Sequence, residues 1–273
     1  MDWSFFLAYA FLGSMAGFAA GLLGIGGGML LVPFLTALFS AQGMPIEIVV
    51  HAAIATSMAS ILFTSISSVY SHHRKKEVRW DLVFSFSPGI VLGGLLAGGA
   101  VFAVLKTGWL ALVFTVFVGY SAIQMMIDRK PKPDRRMPGP LGTGLVGGGI
   151  GFLSGLVGAG GGFASVPFMV WCNVAVHQAV GTSAALGFPV ALANTAGYVW
   201  SGMHVADLPK DMLGYVYWPA LLVLAVFSTA MAPFGAQLAS RLPVGILKRL
   251  FSFLLFGLSA YMLYKAARAF GWI

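Results

Sequence analysis

Charge is what this sequence is short of. Only 9% of its 273 residues are Asp, Glu, Lys or Arg, where a soluble domain carries about 25%. A water-facing shell cannot be made from so few. No charged residue stands between Trp3 and Ile46 or between Met137 and Ala206, and 82–105, 107–127, 212–240 and 250–264 are equally free of them. Cysteine is scarcer still. Cys172 alone excludes an internal disulfide and a paired-cysteine metal or redox motif, and reads as a small apolar helix residue. The apolar runs hold no paired carboxylates, no His-Glu-x-x-His and no cysteine–histidine set, which disfavours an enzyme. No cofactor and no metal are expected. Met1 and Asp2 offer no basic leader, so 1–23 does not read as a signal peptide.

What is there is apolar: 59% of the residues are hydrophobic. The runs are continuous rather than alternating, so they are not barrel strands. Lipid cannot satisfy backbone polar groups, so they must be helices. The fold class is an all-α integral membrane bundle. Eight spans are expected, at about 3–23, 46–71, 82–105, 108–127, 141–158, 178–202, 212–239 and 246–267. Segments 28–40 and 162–172 are apolar but too short to span. The charged, proline-rich stretch 128–140 is a linker that divides a first membrane unit, 1–127, from a second, 141–273. The net charge of +8 does not point to nucleic acid, because the bases cluster in short loops. With the N-terminus inside, eight spans place twelve Lys and Arg in the cytoplasm and four outside, which suits the positive-inside rule. Both termini and the linker are then cytoplasmic.

The two units are related. GFAAGLLGIGGGMLLVPF at 17–34 recurs as GFLSGLVGAGGGFASVPF at 151–168. His51-Ala-Ala-Ile-Ala-Thr56-Ser57 recurs as His177-Gln-Ala-Val-Gly-Thr182-Ser183, and Gly98, Leu105 and Gly108 pair more weakly with Gly235, Leu242 and Gly245. Four spans per half would make the repeats parallel; an odd number would invert them.

Gly13, Gly17 and Gly21, and likewise Gly147, Gly151 and Gly155, sit four apart and form smooth stripes for close helix contact. The runs Gly24, Gly26, Gly27, Gly28 and Gly158, Gly160, Gly161, Gly162 are denser and predict a helix break, after which a short helix restarts. Unpaired N–H groups and the helix dipole at such a restart favour an anion. A plain surface turn is the alternative. A dinucleotide fingerprint is excluded by Met29 and Phe163, which stand where it needs glycine. His51, Thr56 and Ser57, with His177, Thr182 and Ser183, lie inside spans. Each histidine serves either substrate and proton handling, or an interhelical hydrogen bond or an interfacial position. The hydroxyls serve a ligand or their own helix backbone. Asn194 is a mid-span amide suited to support a site, and Glu47 reads as a helix-start residue. His72, His73 and His204 read as solvated loop residues.

The duplicated Gly-x-x-Gly-x-Gly-Gly-Gly…Val-Pro-Phe block, followed by His-x-Ala-x-x-Thr-Ser, resembles the sulfite exporter family TauE/SafE across both halves. The resemblance implies a bacterial inner-membrane secondary transporter that exports sulfite or an organosulfonate, coupled to a proton or sodium gradient. Its partners are the small anionic substrate and membrane lipid, and a homo-oligomer is compatible with it. The two glycine runs and the Thr56-Ser57 and Thr182-Ser183 pairs are the positions it carries over. The interior has no Lys or Arg, so backbone N–H groups, hydroxyls and histidine must replace a fixed cation. Import of another sulfur compound or ion, and a non-transporting accessory subunit, are the competing readings.

Overall fold

The computed structural model describes residues 2–23, 27–127, 136–205, 208–238 and 244–272. Gly24, Gly26 and most of the expected linker, 128–135, lie outside the described residues. The described residues form ten helices and one small hairpin. They are α1 (Trp3–Leu23), α2 (Gly28–Ala41), α3 (Val49–Arg74), α4 (Trp80–Val104, with a π turn at Leu96–Val101), α5 (Thr107–Ile127), α6 (Pro140–Val157), α7 (Gly162–Trp171), α8 (Val176–Gly202), β1 (Met212–Leu213), β2 (Val216–Tyr217), α9 (Trp218–Leu238) and α10 (Val244–Phe270). Six of them, α1, α3, α4, α5, α6 and α9, are long and apolar enough to cross a membrane. Helices α8 and α10 are 27 residues each. The chain is therefore a helical membrane protein.

One expected span starts late. Residues 212–217 are not helical: Met212 pairs with Tyr217 and Leu213 with Val216, and the turn passes through Gly214 at φ 56°. Asp211 also adopts a positive φ, of 71°. An apolar run does not reveal such a hairpin, because its residues are as hydrophobic as the helix that follows.

The glycine stripes seat the helices. A Cβ on Gly13, Gly17 or Gly21 would press on α9 backbone at Leu224, Ser228 and Ala232 in turn. A Cβ on Gly147 or Gly151 would overlap the α4 carbonyls of Phe86 and Ile90. Each stripe thus lets backbones touch, where dispersion and weak polar contacts replace the hydrophobic effect that lipid cannot supply. The registers also give directions. Residue numbers rise together along α1 and α9, and along α4 and α6, so each pair is parallel. Thr56 meets Tyr217 and Lys75 meets Ala236, so α3 runs with α9. Arg79 meets Thr182 and Gly98 meets Ser201, so α8 runs with α4. His51 meets Phe102 while His73 meets Trp80, so α3 and α4 are antiparallel.

These directions define two faces. The terminal face holds the start of α1, the ends of α2 and α10, and the β hairpin; Lys265 donates to Ser40 there at 2.9 Å. The linker face holds residues 75–79, the end of α5 and the start of α6. Helix α2 turns back from the break toward the terminal face, since the Tyr9 and Phe39 rings lie 6.3 Å apart. The expectation that termini and linker share one face therefore fails. The short helix α2 reverses the chain, so α3 starts on the face where α1 started. Every residue from Val49 to Ile61 in α3 is buried, and this helix forms the centre of the bundle.

Candidate functional site

The restarts form where the glycines predict them. Gly27 and Gly161 precede α2 and α7 in the left-handed region, at φ 69° and 79°, and Gly158 ends α6 at φ 73°. A residue with a Cβ is strained there, which explains glycine at each position. The breaks also touch. A Cβ on Gly28 would overlap the Gly158 carbonyl oxygen. Ser57 donates across the junction, 3.4 Å from the oxygen of Gly28 and 3.3 Å from that of Gly158. Gly28, Ser57 and Gly158 thus tie the two halves together at the middle of α3.

The threonines do another job. Thr56 Oγ1 accepts from Tyr217 N–H at 3.0 Å, just before α9 begins. Thr182 Oγ1 accepts from Arg79 N–H at 3.0 Å, just before α4 begins. Each satisfies a donor that a helix start leaves unpaired. The matching histidines diverge. His51 is buried; its Nε2 lies 2.9 Å from the Leu105 oxygen and 3.2 Å from that of Phe102, closing the end of α4. Its ring stacks on Tyr215 with 5.0 Å between centroids. His177 is exposed at the start of α8. The two matching histidines thus part: His51 is bonded between helices, and His177 is exposed.

Asn194 is fully buried and Nδ2 donates to the oxygens of Gly151 and Val190, at 3.2 and 2.9 Å, so it holds α6 against α8. Ser183 accepts from Ser165 of α7 at 2.8 Å. Beside it a small cavity opens on the linker-face side of the breaks. It is lined by Thr64, Ser65 and Ser68 of α3, Ser183 and Gly187 of α8, Ala20 of α1, and Gly160 of the second run. Its lining has hydroxyls and backbone but no charge. The Ser68 hydroxyl is buried with no partner among the described residues. Thr64, by contrast, bonds Ser228 of α9 at 2.7 Å. The N–H groups of Gly162 and Phe163, first in α7, have no acceptor among the described residues. The structure therefore gathers Gly160 and Ser183 with Thr64, Ser65 and Ser68, which the sequence reading missed. A signal existed: hydroxyls recur along α3 at 56, 57, 60, 64, 65, 67, 68 and 71, dense for an apolar helix.

His72 is not a solvated loop residue. It ends α3, is 2% exposed, and its Nδ1 lies 2.6 Å from Oε2 of Glu77. The side chains of His73 and His204 are exposed.

A family model described as Sulfite exporter TauE/SafE matches residues 9–262. A probable membrane transporter protein of Haemophilus influenzae is 32% identical over 263 residues, covering 96% of this chain and 99% of its own. Another, from Methanocaldococcus jannaschii, is 27% identical, covering 92% and 93%. A third, YdhB of Bacillus subtilis, is 26% identical, covering 86% and 90%. No solved structure matches the chain.

Proposed function

The chain belongs to the sulfite exporter family TauE/SafE, and from that premise we propose that it moves a small sulfur oxyanion or sulfonate through the cavity beside Gly160. Family membership makes it a membrane transporter and not an enzyme. The observation that carries the cargo class is the lining itself: Thr64, Ser65, Ser68 and Ser183 beside a helix restart, with no fixed charge. Hydroxyls and backbone N–H groups hold an anion by charge-assisted hydrogen bonds of about 1.5–3 kcal/mol each. The α7 dipole adds up to about 2 kcal/mol when partly buried. Those terms offset part of the anion's desolvation, and without a lysine or arginine the site releases as readily as it binds.

The eight long helices are read as spans, and the halves as inverted repeats. Two features support this: α1 lies along α9 as α6 lies along α4, and the equivalent helices α3 and α8 run in opposite directions. Sidedness follows from charge. Among the described residues the linker face carries Arg74, Lys75, Lys76, Arg79, Arg136, Lys248 and Arg249, whereas Lys106, Lys210, Lys265 and Arg268 are on the terminal face. Seven against four favours the linker face in the cytoplasm. Both termini are then outside, and the cavity, on the linker-face side of the breaks, loads from the cytoplasm, the direction of an exporter in the bacterial inner membrane.

The test is flux of sulfite and of a two-carbon sulfonate in proteoliposomes, with Ser68→Ala and Gly160→Val beside the parent. Both variants should lose most of the flux while eluting as folded protein. Parent-level flux in a folded Gly160→Val protein would remove the cavity from the path.

A further inference from the structure

Two polar atoms with no partner among the described residues stand one helical turn apart on α3: the Ser68 hydroxyl and Nε2 of His72. Both residues are buried, at 3% and 2% exposure. Residues four apart share a helix face, so His72 continues the line of Thr64 and Ser68 out of the cavity toward the linker face. Nδ1 of His72 is held by Glu77 at 2.6 Å. Glu77 itself packs against Gly181, where an added Cβ would come within 2.9 Å of the glutamate Cβ. Gly181 precedes the Thr182-Ser183 pair. The His72–Glu77 pair therefore sits beyond the cavity at its linker-face end, between α3 and α8.

We propose that His72, paired with Glu77, is the proton-binding site that couples anion movement to a proton gradient; this rests on the anion-transport reading above. With Nδ1–H donating to Glu77, Nε2 is left as a buried lone pair without a donor. A buried polar atom without a partner is costly, and once Nε2 carries a proton an anion in the path can accept from it. The imidazolium that forms is balanced by the Glu77 carboxylate, and Nε2–H becomes a charged donor beside an otherwise neutral path. The proton comes from water on the linker face. It is bound while the anion occupies the path and leaves with the anion on the terminal face. Histidine is the side chain whose ordinary charge change falls between pH 5 and 8.

The surrounding groups leave this role to His72. Lys75 donates to the Ala236 oxygen on α9 at 2.7 Å, Arg74 lies over the Tyr70 ring, and Arg79 is bonded to Asp81 on α4. Lys76 and His73 are exposed. At this end α8 brings only His177, which is exposed, and α1 contains no charged residue. His51, the other buried histidine, has both ring nitrogens engaged by the α4 end and Thr107.

The test measures sulfite and proton movement together in proteoliposomes carrying an internal pH dye. In the parent, protons and sulfite should move in a fixed ratio. In His72→Gln the ratio should fall to that of protein-free vesicles, and in His204→Gln it should stay at the parent value. Glu77→Gln should also lower the ratio, because the neutral amide no longer balances the imidazolium. An unchanged ratio in His72→Gln overturns the coupling site, as does an unchanged ratio in Glu77→Gln. If His72→Gln does not fold, or if no sulfite moves, nitrogen NMR of 15N-histidine-labelled parent protein in detergent decides. Acidification must convert His72 from the neutral to the doubly protonated ring, and failure to do so overturns the site. Titration without sulfite flux would instead leave the site standing and count against the cargo.

Discussion

Thr56 and Thr182 carry the same motif position, and the structure gives them the same task on opposite faces. Each hydroxyl takes a backbone N–H that precedes a long helix, at Tyr217 and at Arg79. Valine at either position leaves that donor unpaired, at a cost of about 1–3 kcal/mol. Thr56→Val and Thr182→Val should each melt several degrees below the parent in detergent, and the serine variants should stay close to it. Equal melting of valine and serine variants would mean that the hydroxyls are free for a ligand. His51 and His177 follow the opposite course from the same motif: one is locked under α4, the other faces out. Nothing in the seven aligned positions, four of them identical, separates them, because the partners of His51, at 102–107 and 215, come from distant parts of the chain. Of the residues that line the cavity, Gly160 and Ser183 were legible in the sequence. The serines of α3 went unread because hydroxyls on an apolar helix usually bond their own backbone, as Ser65 does to Leu62.

At the scale of elements the glycines divide into two kinds. Those of the stripes remove side chains so that helices touch; those of the breaks allow a left-handed backbone. Gly21→Val should prevent folded protein from accumulating, because its Cβ would overlap the Ala232 carbonyl of α9. Gly257, in α10, has nothing within 4 Å of an added Cβ. Gly257→Ala should therefore raise the melting temperature, in line with the gain of about 0.5–1 kcal/mol for alanine over glycine in a helix. Yield and thermal melting of the two variants in detergent check this, and a well-folded Gly21→Val protein would contradict the observed α1–α9 seam. The stripes were readable from spacing alone, since four-residue intervals return to one face. Their partner was not: Gly17 meets Ser228, more than 200 positions away.

Across the whole molecule, orientation turns on whether α2 counts as a crossing. Read as part of eight simple spans, the chain puts termini and linker together; read with α2 and α7 as returns, it separates them. Both arrangements gather the basic residues at 74–79 and 136 on one side, so counting bases cannot choose between them. Single cysteines at 76 and 136, in a Cys172→Ala background, should be shielded from an impermeant maleimide in intact cells. A cysteine at 272 should react. Reaction at 76 and 136 with shielding at 272 would invert the orientation.

Local physics was enough to establish membrane residence, helical class and the two interruptions. Hydrocarbon tolerates only satisfied backbone, and four glycines in five residues cannot hold a helix. These properties belong to short stretches and need no partner. Three things waited for the tertiary structure. The direction of the chain after Gly28 depends on which neighbour α2 packs against. The cavity depends on Ser68, Ser183 and Gly160 arriving from three separate segments. The burial of His72 depends on α8 covering a residue whose sequence neighbours, His73 and Arg74, are those of a solvated loop. Each depends on contacts between separate segments of the chain, and such contacts are written in the packing of helices rather than in the pattern of any one of them.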